Sequence, residues 1–137
     1  MPGGEQVTEK KTPVPYVPSI LVAEDDPETR RMFRRTLEEV GYFVSEAANG
    51  RDAWKAVVDR YFDLVILDLS MPEEDGIEVI RSIRAELPYI KVVAVSGFLH
   101  GAFLRAARNL GAESALHKPV REEVLLPEVC RVLAAHA

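Results

Sequence analysis

Four short stretches of this chain each run out on a side chain able to do chemistry. Glu24-Asp25-Asp26 follows Ile20 to Ala23, Asp68 follows Leu64 to Leu67, Ser96 follows Val92 to Val95, and Lys118 ends the stretch that begins at Glu113. Two carboxylates about 4 Å apart repel by roughly 4 kcal/mol at an effective dielectric of 20, so gathering Glu24, Asp25 and Asp68 calls for a cation. The donors are all oxygen, which suits a hard octahedral ion that keeps several waters, Mg²⁺ first and Mn²⁺ second. The spacing of a calcium-binding loop is absent. A divalent ion and the Lys118 ammonium together would balance the three carboxylates and make room for an incoming anion. A carboxylate can then attack phosphorus, provided that fixed donors stabilise the oxygens of the transferring group. Asp68 is best placed for that attack, between the other acids on one side and Ser96 and Lys118 on the other.

Such convergence needs an architecture that brings distant residues to one rim. The apolar runs before Glu24, Asp68 and Ser96 are continuous and rich in branched residues, as expected of parallel strands covered on both faces. Tyr42–Ala47 and Glu113–His117 read as two further strands. Between them lie amphipathic helices: Pro27 to Val40 with Asp26 as N-cap and Gly41 as stop, and Asn49 to about Asp59. A third runs from Asp75 or Gly76 to Leu87, a fourth ends at Gly111, and a fifth spans Glu122 to Ala135. Their inward stripes are expected to carry Phe33, Leu37 and Val40, then Ala53, Val57 and Val58, then Phe103 and Ala107, then Val124, Leu125 and Val129. Five βα units with right-handed crossovers predict an α/β doubly wound fold. Its parallel sheet has the order 2-1-3-4-5, with helices on both faces. Ligands bind such sheets outside the carboxyl ends of the strands, where the order reverses.

Residues 1–18, with Gly3, Gly4 and three prolines from Pro13 to Pro18, read as a flexible Pro-rich tail, and residues 19–137 as one domain. At 137 residues, 47% hydrophobic and 28% charged, the chain has the size and balance of one globular domain. Its net charge of −5 argues against direct nucleic-acid binding. Cys130, the single cysteine, excludes an intramolecular disulfide and reads as a small residue on the inner face of the last helix. With no apolar run long enough to span a bilayer, the expectation is a cytoplasmic protein without a membrane contact.

The ordered set Glu24-Asp25, Asp68, Met71-Pro72, Asp75-Gly76, Ser96 and Lys118-Pro119 resembles the signature of response-regulator receiver domains, of the single-domain type. The likeness covers about residues 19–137 and implies a flavodoxin-like (βα)5 fold. It implies phosphorylation of Asp68 from a phosphohistidine on a histidine kinase or histidine phosphotransfer protein, or from a small phosphodonor. By the same likeness Asp25, Asp68 and the Ser70 carbonyl ligate Mg²⁺, Glu24 acts through bound water, Ser96 hydrogen-bonds the phosphoryl group and Lys118 neutralises it. The Lys118-Pro119 bond is implied to be cis. The chain would catalyse only its own phosphorylation and dephosphorylation.

Two departures matter. Glu24 stands where Asp is more usual, and Ala115 occupies a position that often carries a switching aromatic ring, so any switch is expected to use Ser96, the Gly97-Phe98 loop and the fourth helix. Phe98 is expected to shield the aspartyl phosphate from water. A haloacid-dehalogenase-type phosphohydrolase would want an acid where Ser70 stands, and a flavodoxin-like cofactor binder would want a phosphate loop where Glu24-Asp25 stands. His117 reads as a partly exposed packing residue, and the Arg30-Arg31 and Arg34-Arg35 pairs as a solvated face or a dock for an acidic partner. No stretch reads as DNA-binding, so output is expected through a target protein on the face of the fourth helix, fifth strand and fifth helix. The alternatives are a phosphorylation-independent interaction module and an excised receiver of a larger regulator or hybrid kinase.

Overall fold

The computed structural model describes residues 15–71, 76–97 and 101–135. The expected tail up to residue 14, Pro72, Asp75, Phe98 with its shielding role, His100 and His136 lie outside the described residues. Five strands, β1 (Ser19–Ala23), β2 (Phe43–Ala47), β3 (Leu64–Asp68), β4 (Lys91–Ser96) and β5 (Ser114–His117), form one parallel sheet. Its order is β2-β1-β3-β4-β5, as the sequence predicts. Five helices alternate with them: α1 (Pro27–Glu39), α2 (Gly50–Asp59), α3 (Gly76–Glu86), α4 (Ala102–Asn109) and α5 (Glu122–Ala134).

The period-2 alternation of the strands sorts their side chains into two cores. Leu21, Val65, Leu67, Val92 and Ala94 face α2, α3 and α4, where Ala53, Val57, Val79, Ile80, Ile83 and Ala107 meet them. Ile20, Val22, Leu64, Ile66, Val93 and Val95 face α1 and α5, against Phe33, Leu37, Leu125, Val129 and Val132. Every residue of β3 is buried, so the strand that ends on Asp68 is held from both sides. That rigidity fixes where its last side chain emerges.

Several expected core positions are exposed. On α5 the buried stripe is Leu125, Val129 and Val132, so Val124, about 100° round the helix from Leu125, points outward and is 48% exposed. Cys130, one step past Val129, is exposed for the same reason and lies 3.3 Å from the Tyr42 hydroxyl. The short helix α4 buries Ala107 and rests Leu104 and Leu110 on the core, which turns Phe103 to solvent. Val40 follows the last residue of α1, and Val58 lies next to the Val57 stripe on α2; both are exposed. Residues 15–18 lie along the start of the sheet, with the Tyr16 hydroxyl donating to the Asp63 carboxylate at 2.8 Å and the Pro18 carbonyl accepting from Phe43 N.

Candidate functional site

The rim is assembled by strand register. β1 pairs through Ala23, and one further bond, from Glu24 N to the Ala47 carbonyl at 3.0 Å, carries Glu24 to the edge of the sheet. The chain then turns into α1. Asp26 caps that helix, accepting from Thr29 N at 2.9 Å and Thr29 Oγ1 at 2.6 Å. The Thr29 hydroxyl holds the Asp26 carboxyl below its usual range, so this acid serves the helix, as its place before Pro27 predicts. Glu24 is 1% exposed while Asp25, at the bend that follows β1, is exposed.

β3 delivers Asp68, 2% exposed. Leu69 N donates to the Val95 carbonyl at 3.0 Å, and Ser70 N folds back onto Asp68 Oδ1 at 3.0 Å. β4 ends on Ser96, which is buried, and its carbonyl accepts from Lys118 N at 2.9 Å. That bond places Lys118 beside the acids, ahead of a cis bond to Pro119. Of the sequence-predicted residues, Asp25, Asp68, Ser70 and Lys118 line one cleft of about 240 Å³ together with Gly97, while Glu24 and Ser96 are buried beside it. A roomier hollow of about 530 Å³ lies between α1 and α5, so volume does not single out the site. Converging side chains of opposite charge do.

Glu24, Asp25 and Asp68 each offer a carboxylate oxygen, all within 4.8 Å of one another. Lys118 Nζ lies 2.8 Å from Glu24 Oε1 and 3.1 Å from Asp68 Oδ2. Burial pushes the Glu24 carboxyl up to about 7, against the opposing pull of Lys118 and the Asp26 N–H. Burial draws Lys118 down, but its bonds to Glu24 and Asp68 outweigh that and leave the ammonium above its ordinary value. Glu24 Oε1 is buried and, beyond its 2.8 Å contact with the Lys118 ammonium, has no hydrogen-bond partner among the described residues. A buried, under-satisfied carboxylate oxygen in an all-oxygen cluster fits a hard cation.

The residues that hold the rim from outside escaped the sequence reading. Arg30 and Arg34 do not form a free basic face: Arg30 Nε and Arg34 Nη1 both bind Glu46, at 2.8 and 2.9 Å, and Arg30 Nη1 donates to the Glu24 carbonyl at 2.8 Å. The signal was present as Glu46 on the neighbouring strand, but it becomes a contact only once β2 lies beside β1. Arg31 and Arg35 are exposed, and so is His117, whose Nδ1 lies 2.6 Å from the Lys118 carbonyl oxygen.

Relatives share this frame. Response regulator receiver protein CpdR of Brucella abortus is 34% identical over 116 residues, covering 85% of this chain and 97% of that protein. Sensor protein EvgS of Escherichia coli O157:H7 is 31% identical over 121 residues, or 88% of this chain, which spans 10% of EvgS. Among solved structures, a CheY-like response regulator receiver domain protein from Methanospirillum hungatei JF-1 superposes with a TM-score of 0.82 at 25% identity. That match covers 86% of this chain and 94% of the other. Residues 20–129 match the family model of the response regulator receiver domain, and this match over most of the chain, with the relatives above, shows that the chain belongs to the receiver domain family of two-component signalling.

Proposed function

We propose that Asp68 accepts a phosphoryl group in a Mg²⁺-dependent reaction and that the aspartyl phosphate changes the affinity of a protein-binding face. The observation that carries this reading is the contact of Lys118 Nζ with both Asp68 and Glu24. A carboxylate that must attack an anion is already paired with the cation that will neutralise the product. Asp25, Asp68 and the Ser70 carbonyl would hold the ion, with Glu24 acting through water. Bound there, Mg²⁺ supplies charge neutralisation to the equatorial oxygens of the phosphoryl group.

One carboxylate oxygen of Asp68 attacks phosphorus as the bond to the donor breaks. With a phosphohistidine donor that is the P–N bond, and the imidazole leaves with its electron pair and takes a proton. The ammonium of Lys118 follows the negative charge from the carboxylate to the new phosphoryl oxygens, and the Ser96 hydroxyl donates to one of them. The donor is a histidine kinase or a histidine phosphotransfer protein. In this reading the chain acts catalytically only on its own phosphorylation and dephosphorylation.

Output passes to a target protein through α4, β5 and α5. Ala115, in the middle of β5, has no ring to rotate, so the switch uses Ser96 and the packing of α4. Among the described residues no helix is long and apolar enough to cross a membrane, which supports action in the cytoplasm. Intact-mass measurement after incubation with acetyl phosphate and Mg²⁺ tests the chemistry. One phosphoryl adduct is expected on the native chain and none on Asp68→Asn; equal labelling of the two would place the phosphate elsewhere.

A further inference from the structure

We infer that Arg30 is a positioning residue for the cation site, acting through the backbone that carries Glu24 and Asp25. This inference rests on the proposed divalent-cation reading of that site. Arg30 lies one helical turn beyond the cap Asp26, and helical side chains lean toward the N-terminus, so its guanidinium returns to the β1 exit. There Nη1 donates to the Glu24 carbonyl at 2.8 Å and approaches the Asp25 carbonyl at 3.5 Å. The other side of the guanidinium is fixed as well, with Nε bound to Glu46 Oε1 at 2.8 Å.

Glu46 is anchored in turn. It sits in β2 in register with Val22, and its second oxygen takes Arg34 Nη1 at 2.9 Å. Arg34 and then Arg30 hold the Glu46 carboxyl below its usual range, so the carboxylate stays charged. The side chain of Arg30 is 18% exposed, which reduces screening of these contacts. A rigid path thus runs from β2 through Glu46 and Arg30 to the two consecutive carbonyls whose residues present acids to the cleft.

The consequence is geometric. Asp25 is exposed and sits at a bend between β1 and α1, and a small drift there would change the distance between carboxylates that must share an ion. Arg30 limits that drift without touching the ion or the phosphoryl group. Neither lysine nor glutamine can reproduce it fully, because only the guanidinium fork reaches a carboxylate and a carbonyl at once.

The test is calorimetric titration of the full chain with MgCl₂, for the native protein and for Arg30→Ala, Arg30→Lys and Arg30→Gln, beside thermal unfolding of each in EDTA. Groups that orient metal ligands typically cost about 10–100-fold in affinity when removed. The expectation is a loss of about tenfold for Arg30→Ala, with partial recovery in Arg30→Lys. A merely structural Arg30 would lower the unfolding temperature while leaving affinity in the folded protein within twofold of native, and that result overturns the inference. If Arg30→Ala does not fold, the lysine and glutamine variants decide by the same criterion. Absence of Mg²⁺ binding by the native chain would instead overturn the cation reading itself, and this inference with it.

Discussion

Gly76 packs so tightly against Leu69 that a Cβ at position 76 would stand 2.6 Å from the Leu69 Cα, and 2.8 Å from the carbonyl oxygen of Asp68. Both obstacles are backbone, so no side chain can swing aside. The first residue of α3 therefore sets how the chain leaves β3, and through it the direction of the Asp68 carboxylate.

For Gly76→Ala the expectation is a loss of about 1–3 kcal/mol, the usual cost of overpacking. Labelling of Asp68 by acetyl phosphate should slow as well, since relief of the clash must move either α3 or the β3 exit. Denaturant unfolding gives the first number and the rate of adduct formation the second. Native values for both would mean that the close approach is relaxed at no cost.

Cation binding should appear as stability. An ion that binds the folded chain and not the unfolded one adds about 2.7 kcal/mol at a hundred times its dissociation constant, so MgCl₂ should raise the unfolding temperature of the native protein. Asp25→Asn should lose most of that gain. Asp26→Asn should keep it, because Asp26 caps α1 through Thr29 and asparagine caps nearly as well. A gain that survives in Asp25→Asn but vanishes in Asp26→Asn would reverse the roles given to these neighbours.

The strands, and the acids and lysine that stand at their ends, were legible in the sequence because both follow from local signals, whereas the order 2-1-3-4-5 came from the rules for doubly wound sheets. Continuous apolar runs mark buried parallel strands, and the polar residue ending each run must sit at the sheet's edge. The Asp26-Pro27 start of α1 and the Asn49 start of α2 were readable for the same reason, since a cap and its helix are neighbours in sequence. What was hidden is relational. Arg30 and Glu46 lie 16 residues apart and meet only across β1 and β2, so Arg30 on its own reads as one more solvated cation. Phe103, Val124 and Cys130 were misplaced by a single step round a helix, an error of about 100° that composition cannot correct. Buried Ser114, whose hydroxyl meets Glu128 of α5, gave no sequence signal either.

Lys118→Met keeps the length of the side chain and removes its charge, leaving Glu24 and Asp68 facing each other without a cation. Breaking a buried pair costs about 3–5 kcal/mol, and with Lys118 still 24% exposed the metal-free loss should be about 2–3 kcal/mol near pH 8. The Glu24 carboxyl is already pushed up to about 7 by burial, and without the ammonium it rises further. A group raised in the folded state stabilises it fully below its unfolded value and loses that contribution as pH climbs through the folded one. The variant should therefore lie closer to native stability at pH 6 than at pH 8. Unfolding in EDTA across that range checks the sign, and a deficit that grows on acidification would contradict the assignment of Glu24 as the responsive group.

At the other end of the pH scale the sensitive residue is Glu128. Arg131 chiefly, and the Ser114 hydroxyl next, hold its carboxyl down to about 2 from an ordinary 4.5. A depressed carboxyl stabilises the fold at pH values above its unfolded value, and the contribution disappears as pH falls through the folded one. The loss therefore falls between about pH 4.5 and pH 2, well below the range in which Glu24 acts. Glu128→Gln should lower the unfolding temperature above pH 5, and the gap from native should close steadily toward pH 2. Because Glu128 anchors α5 to the first residue of β5, the same substitution should speed amide hydrogen exchange in β5 while leaving β1 and β3 protected. Equal acceleration in all three strands would show that Glu128 supports the fold as a whole and not the edge on which the proposed output face is built.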